Sequence, residues 1–327
     1  MAVTIPDVAK RAGVAVGTVF RYLNGARLRE ENRQKVEKAI EELGFKENVL
    51  AVAVLIEQLT DIFATSVITT VERTIETHKY NIIISDFEKS EEKLRERLKF
   101  FKNRAISGLI LFSSGRGTKS VDILNEYRTM NIPILIVDDK IPGFETDVVL
   151  VDNAHASFRA VERLIHANHR KIAILTGPQN SYVSQERLRG YQEAMQTYNI
   201  PIPEQGVRCG DFTTEGGYAA VKELYQSVPS HPTAVYSTNY YMTLGASIAL
   251  NELQVKIPEK LSFVGFDRFT ATDLMKPLLT VIEQPYEDLG RAAGKLILKR
   301  IQGNLSDFPR TIKLKTKMLI RESVRKI

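Results

Sequence analysis

Gly17, Thr18, Phe20 and Arg21 stand together on one flank of a short apolar period, Val16, Val19, Tyr22 and Leu23, and their chemistry suits a groove. Gly17 and Thr18 are short enough to let a helix approach a duplex, and Arg21 brings a planar cation. A second set of polar side chains follows apolar runs: Asp61 and Phe63, Asp86, Asp138, Asn239 and Asp267. Carboxylates and amides at the ends of buried strands either cap the next helix or accept hydrogen bonds from a ligand. Asp86 and Asp138 are read as caps.

The first set must be carried by residues 4 to 44, which read as three helices punctuated by glycine. Thr4 precedes Pro6 as a cap would, Ala9 and Ala12 leave room for a neighbour, and Gly13 permits a tight turn. A helix crossing phosphates followed by one presenting short residues and an arginine is a helix-turn-helix arrangement. Between residues 4 and 29, Lys10, Arg11, Arg21, Arg27 and Arg29 are opposed by Asp7 alone, which suits a polyanion.

The second set must be carried by an alternation of strands and helices. VAVLI (52 to 56), NIIIS (81 to 85), GLILF (108 to 112), ILIV (134 to 137) and VVLV (148 to 151) are continuous apolar runs, expected of strands buried on both faces. Amphipathic stretches over 63–78, 91–103 and 121–130 separate them, giving a doubly wound parallel sheet. A second series runs from KIAILTG at 171 through 234–237 to LSFVGFD at 261–267. The fold class is therefore α/β, with an all-α amino-terminal headpiece and a core of two doubly wound lobes.

Composition narrows the function. The 327 residues carry a net charge of +6, 43% are hydrophobic, and Cys209 is the lone cysteine, so no disulfide framework or thiolate metal cluster is expected. No apolar run spans a bilayer and residues 1 to 25 lack a signal-peptide core, which points to the cytoplasm and away from a secreted transport protein. His166 and His169 have no third ligand nearby in sequence, so no zinc site is expected. No phosphate loop, G-x-G-x-x-G after the first strand, G-x-S-x-G or H-E-x-x-H motif occurs, and the loop of Ser113, Ser114, Gly115 and Gly117 reads as a turn. Neither an enzyme nor a cofactor is expected.

The pattern V-T-I-x-D-V-A-x-x-A-G-V-x-x-x-T-V-x-R-x-L-N-G from Val3 to Gly25, and R-x-K-V-x-x-A-I-x-E-L-G from Arg33 to Gly44, resemble the headpiece of the lactose-repressor (LacI/GalR) family of bacterial regulators. The resemblance extends over the whole chain. It implies that Val16, Gly17 and Arg21 read bases, Arg21 by two hydrogen bonds to guanine O6 and N7, and that Thr18 and Asn24 meet phosphate. Phe20, large where the family is small and polar, is expected along sugar and backbone. Ala15 and Arg29 stand where the family has hydroxyl caps. Asn48 to Ala51 leave no room for the family's hinge helix, which needs about seven residues.

For the core, the resemblance implies a periplasmic-binding-protein arrangement with an effector between the lobes. It divides the chain into a headpiece (1–47), a shortened linker (48–51), a first subdomain (52–168 and 283–314) and a second (169–282 and 315–327). Asp267 in VGFD and Arg187 in RLRGY correspond to the family's effector-binding pair, and together they suit neighbouring hydroxyls of a sugar. Asp61, Phe63, Asn239, Gln284 and Phe212, the last as an aromatic plate, complete the expected set, with Tyr240 in place of a family aspartate. The resemblance implies a homodimeric repressor on a pseudo-palindromic double-stranded operator, controlled by a sugar or sugar derivative. Loss of DNA recognition, leaving a cytoplasmic sensor, is the alternative the short linker suggests.

Overall fold

The computed structural model describes residues 5–23, 26–43, 50–226 and 231–327. Two compact units emerge, Met1–Leu50 and Ala51–Ile327. In the first, α1 (Ile5–Ala12), α2 (Val16–Leu23) and α3 (Glu30–Leu43) enclose a small core of Val8, Ala9, Ala12, Val19, Val36 and Ala39. Gly13 ends α1 with φ at 65°, and the Val14 amide returns to the Ala9 carbonyl at 3.1 Å, a closure that a left-handed residue makes possible. Tyr22 donates to Glu37 at 2.9 Å and Arg11 pairs with Glu42 at 2.5 Å, so α2 and α1 are each tied to α3. Thr4, Asn24 and residues 44–49, including the first half of the expected linker, lie outside the described residues.

The second unit begins with β1 (Ala51–Ile56), β2 (Asn81–Asp86), β3 (Gly108–Leu111), β4 (Ile134–Val137) and β5 (Asp147–Val151). It continues with β6 (Ile172–Thr176), β7 (Val207–Cys209), β8 (Ala234–Ser237), β9 (Ser262–Phe266) and β10 (Thr280–Glu283), and ends with β11 (Thr311–Leu314) and β12 (Lys317–Leu319). The helices between them are α4 (Ile62–Glu76), α5 (Glu91–Lys102), α6 (Val121–Thr129), α7 (Asn153–His166), α8 (Tyr182–Thr197), α9 (Thr214–Gln226), α10 (Tyr240–Glu252), α11 (Thr270–Leu274) and α12 (Tyr286–Ile301). The strands form two sheets, ordered β11-β5-β4-β3-β1-β2 and β12-β10-β9-β8-β6-β7.

Side-chain alternation along the central strands builds both layers of each lobe. Val52, Val54 and Ile56 of β1 pack with α4 and α12, whereas Ala53 and Leu55 pack with α5 and α6. In the second lobe Ile172 and Ile174 of β6 meet α7 and α8, and Ala173 and Leu175 meet α9 and α10. The order of each sheet reverses beside its central strand, between β1 and β3 and between β6 and β8. Those reversals open a crevice at the carboxyl ends of the strands.

Four expectations are corrected. The first chain crossing falls at Asp152, between β5 and α7, and not at Asn168. Ala156, Ala160, Leu164 and Ile165 of α7 belong to the second core, and a Cβ at Gly190 of α8 would meet the Ala154 carbonyl oxygen at 2.0 Å, so these helices touch backbone to backbone. The other crossings lie between Glu283 and Tyr286 and between Leu314 and Lys317. β2 is not buried on both faces: it is the outer strand, and Ile83 and Ile84 remain 44% and 41% exposed. The sheets are not wholly parallel, because β12 runs antiparallel to β10. Asp86 caps no helix; Ser90 caps α5 instead.

Candidate DNA-reading helix and effector cleft

The apolar side of α2 is narrower than its period suggests. Val19 is fully buried and Tyr22 and Leu23 pack beside it, but Val16 is 50% exposed, so it joins Gly17, Phe20 and Arg21 on the outer face. Val16 starts the helix, ahead of the turn that the core covers, which accounts for the miss. Thr18 is half-buried, its amide donating to the Ala15 carbonyl at 2.8 Å, so backbone replaces the missing serine cap at that point. Arg29 likewise starts α3 through its carbonyl, which accepts from the Asn32 and Arg33 amides. Phe20 is 58% exposed beside the exposed Arg21. An apolar ring and a guanidinium side by side on a basic three-helix unit form a surface that a duplex backbone and groove could cover.

In the core, residues from both lobes enclose a cavity of about 410 Å³. Asp61, Phe63, Arg187, Phe212, Asn239, Asp267 and Gln284 all line it. Asp267 follows β9 with φ at 75° and is almost wholly buried; its Oδ1 accepts from Gln284 Nε2 at 2.6 Å and Tyr286 Oη at 3.2 Å, and its Oδ2 from the Tyr240 amide at 3.3 Å. Arg187 donates through Nε to Asn153 at 2.8 Å and through Nη1 to the Thr238 carbonyl, and its guanidinium lies 3.7 Å over the Phe266 ring. These contacts hold the cation without placing a carboxylate against it. Its charge is left to act on the cleft.

Several members of the set also do ordinary structural work. Asp61 caps α4, accepting from the Phe63 and Ala64 amides at 2.9 and 3.4 Å, and Asn239 caps α10 through the Met242 amide at 2.9 Å. Phe63 meets the rings of Phe112 and Tyr286 edge-on, with centroids 6.4 and 5.9 Å away. Phe212 has φ at 57° and its ring occupies the space that a side chain at Gly177 would need, 2.2 Å from such a Cβ. Tyr240 turns its ring onto Phe269 at 4.9 Å, and Phe269 stacks on Tyr286 at 5.1 Å. One wall is therefore aromatic.

The cleft raises the pKa of Asp61, Asp138 and Asp267. Burial pushes Asp61 and Asp267 above the usual carboxylate range, against the hydrogen bonds each accepts and, for Asp267, against Arg187. Asp138 is pushed up to about 7, first by burial and then by Asp139, Asp267 and Asp61, with Arg187 opposing. The expectation that Asp138 caps a helix is corrected: it lines the cavity, its φ is 56°, and its Oδ1 is buried with no hydrogen-bond partner among the described residues.

Other participants left little sequence signal. Tyr241 Oη donates to the Thr60 carbonyl at 2.8 Å and accepts from the Ile62 amide at 3.3 Å, joining the lobes across the cavity mouth. Asn180 makes a second tie, to the Gly115 carbonyl at 3.2 Å. Arg116 pairs with Glu57 on the same lining. His155 is exposed on α7 and does not line the cavity. Among the described residues no cluster of histidine, cysteine or carboxylate groups suits a metal ion, and no helix is long and apolar enough to cross a membrane.

Comparison with known proteins covers both units. Residues 4–48 match the family model of bacterial regulatory proteins, lacI family, and residues 49–322 match that of periplasmic binding proteins and sugar binding domain of LacI family. The chain is 31% identical over 333 residues to the HTH-type transcriptional repressor PurR of Escherichia coli O139:H28 (strain E24377A / ETEC), covering 98% of this chain and 96% of the relative. A solved complex of the transcriptional regulator CelR with cellobiose is 29% identical with a TM-score of 0.77, over 98% of this chain and 99% of the other. The lac repressor dimer bound to operator and the anti-inducer ONPF shares the fold with a TM-score of 0.80 at 24% identity, over 99% and 100% of the two chains. A basic three-helix unit and a two-lobed cleft core, each matched along nearly its full length, place this chain in the LacI family of bacterial regulatory proteins.

Proposed function

We propose that the protein is a cytoplasmic, homodimeric transcriptional repressor that reads a pseudo-palindromic operator through α2 and releases or grips it according to a sugar bound between the core lobes. Arg21, Val16 and Gly17 read bases, Thr18, Phe20 and Asn24 meet the backbone, and no cofactor or catalytic step is involved. The observation that carries the reading is the convergence of Asp267 and Arg187 on one cavity, each held by its own hydrogen bonds so that acceptor and cation are presented together. Such a pair recognises adjacent hydroxyls, and the aromatic wall suits the apolar face of a sugar ring. CelR, which resembles this chain along its length, was solved with cellobiose.

A second copy as partner is favoured by the outer edge of the first sheet, where β2 presents exposed Ile83 and Ile84. Two identical headpieces would then meet two half-sites. Control by the effector is a difference in affinity between cleft states, on the order of 1–3 kcal/mol in typical coupling.

Enrichment of genomic fragments on the full chain, followed by gel shift with monosaccharides, disaccharides, sugar phosphates and nucleosides, tests the reading. The retained fragments should share an imperfect palindrome, and one ligand class should move the binding midpoint. Failure to enrich any fragment while a sugar still binds would move the assignment to a sensor without DNA recognition. That second reading is favoured by the short connection between Leu43, where α3 ends, and Ala51, where β1 begins.

A further inference from the structure

Building on the effector reading above, we propose that the cleft takes an unphosphorylated polyol and turns away its phosphate or carboxylate derivatives. An anion entering such a cleft has three usual hosts: free helix amino termini, a glycine-bearing loop of unbonded amides, and uncommitted cations. This chain's own side chains occupy much of the first two, while Arg187 and Lys89 on the lining have no carboxylate ion-pair partner among the described residues.

Side chains cap the amino termini of α4, α8, α9 and α10 at the cavity, while α11, preceded by the lining residue Phe269, and α12 have no side-chain cap. Asp61 takes the Phe63 and Ala64 amides of α4, Ser181 the Ser184 amide of α8, and Thr213 the Gly216 amide of α9. At α10 Asn239 takes the Met242 amide and Asp267 the Tyr240 amide. Two of these caps are carboxylates, so the end that would attract phosphate already faces negative charge. In the loop after β3 the Gly115 amide donates to Asp139 and the Gly117 amide to Glu91 at 2.9 Å. It is an anion nest filled from within.

The lining charges point the same way. Glu57, Asp61, Asp138, Asp211, Glu215 and Asp267 face Lys89, Arg116 and Arg187, six acidic residues against three basic. Arg116 is spent on Glu57, and Arg187 is already bonded through two of its three nitrogens. A phosphate would meet uncompensated carboxylates in a partly enclosed site, where repulsion is screened less than in water. A neutral polyol meets acceptors that lack donors. Asp138 Oδ1, buried and without a partner among the described residues, accepts from a ligand hydroxyl, and the rings of Tyr240 and Phe269, the latter backed by Tyr286, cover a C–H face.

The test pairs each sugar with its charged form: glucose with glucose 6-phosphate and glucuronate, ribose with ribose 5-phosphate, cellobiose with cellobiose 6′-phosphate, and N-acetylglucosamine with N-acetylglucosamine 6-phosphate. Thermal shift and calorimetry on the full chain give the binding, and gel shift on an enriched fragment is run in parallel. At least one uncharged member should bind, with its charged counterpart weaker by about tenfold or more. In Asp138→Asn, which keeps the side-chain volume, that ratio should narrow, a change that general loosening of the fold would not produce. Binding of a phosphate as tight as its parent sugar, an unchanged ratio in Asp138→Asn, or no binding by any uncharged member overturns the proposal. Operator binding retained in those cases leaves the repressor reading standing; operator binding lost while the charge preference holds removes the repressor reading alone.

Discussion

Gln284 donates its amide hydrogen to Asp267 at 2.6 Å, and this bond ties the central carboxylate of the cleft to the segment that carries the chain from one lobe to the other. Gln284 follows β10 of the second sheet, and α12, which packs in the first lobe, starts two residues later. Tyr286, the first residue of α12, reaches the same carboxylate oxygen at 3.2 Å. A ligand that engages Asp267 therefore acts directly on a crossing between lobes. Occupancy and lobe geometry share one hydrogen-bond unit.

That linkage gives a test of coupling. In Gln284→Leu the carboxylate keeps only Tyr286 and the Tyr240 amide, and loss of a hydrogen bond to a charged group costs about 1.5–3 kcal/mol. Effector affinity should fall by roughly tenfold to a hundredfold, while operator affinity without effector stays within about twofold. Asp267→Ala should abolish the effector response altogether with operator binding retained. Calorimetry with the effector and fluorescence anisotropy on the operator separate the two effects; a wild-type effector response in either variant refutes the linkage.

Arg21→Ala examines the three-helix unit. A well-placed bidentate contact discriminates between bases by about 1–3 kcal/mol, whereas a phosphate contact raises affinity for every sequence alike. The variant should lose that much preference for operator over scrambled duplex, with nonspecific affinity reduced far less. Anisotropy titrations on both duplexes at one salt concentration measure the difference. Equal losses on both would make Arg21 a backbone contact.

Much of this arrangement was legible in the residues. Continuous apolar runs gave the buried strands because a strand covered on both faces needs no polar side. NIIIS looked the same, yet β2 is an outer strand, since sheet order depends on long-range pairing that no local run records. β7, with only Val207–Cys209, has too short an apolar pattern to stand out. The misplaced crossing at Asn168 has a similar origin: α7 is amphipathic in either lobe, and only the close approach at Gly190 decides which. Asp138 was hidden differently. A carboxylate after a strand has the same sequence signature whether it caps a helix or points into a cavity, and the positive φ that distinguishes the two is a property of the turn.

Asp138 should also mark the pH dependence of stability. In the unfolded chain an aspartate ionises near 4, but here burial first, and neighbouring carboxylates second, push it up to about 7. Between those values the unfolded chain sheds a proton that the folded chain keeps, so stability falls as pH rises through the window, and the cost is complete above it. Asp138→Asn removes this contribution. Without effector the variant should melt at nearly the parental temperature at pH 4.5 and higher than the parent at pH 8, a gain on the order of 1–3 kcal/mol for relieving a buried unpaired group. Calorimetric scans at half-unit steps of pH provide the comparison, and parallel curves for the two proteins would show that Asp138 is hydrated in the free cleft.

The outer edge of the first sheet offers a last measurement. Ile83 and Ile84 are adjacent in β2, so their side chains leave opposite faces of the strand, yet both stay exposed, and among the described residues β2 pairs only with β1. Two isoleucines on an unpaired edge are a hazard for a monomer and an asset for a dimer. A charge there changes the isolated fold by only about 0.5 kcal/mol, but it must be desolvated if a second copy covers the strand. Ile84→Glu should therefore sediment as a monomer at micromolar concentration with an unchanged far-ultraviolet dichroism spectrum. Operator affinity should drop by about a hundredfold or more, because the second headpiece no longer binds as a tethered unit. Binding to a single half-site, which needs one headpiece, should be preserved. If Ile84→Glu stays dimeric, the dimer contact lies elsewhere on the core and the exposure of β2 has no part in assembly.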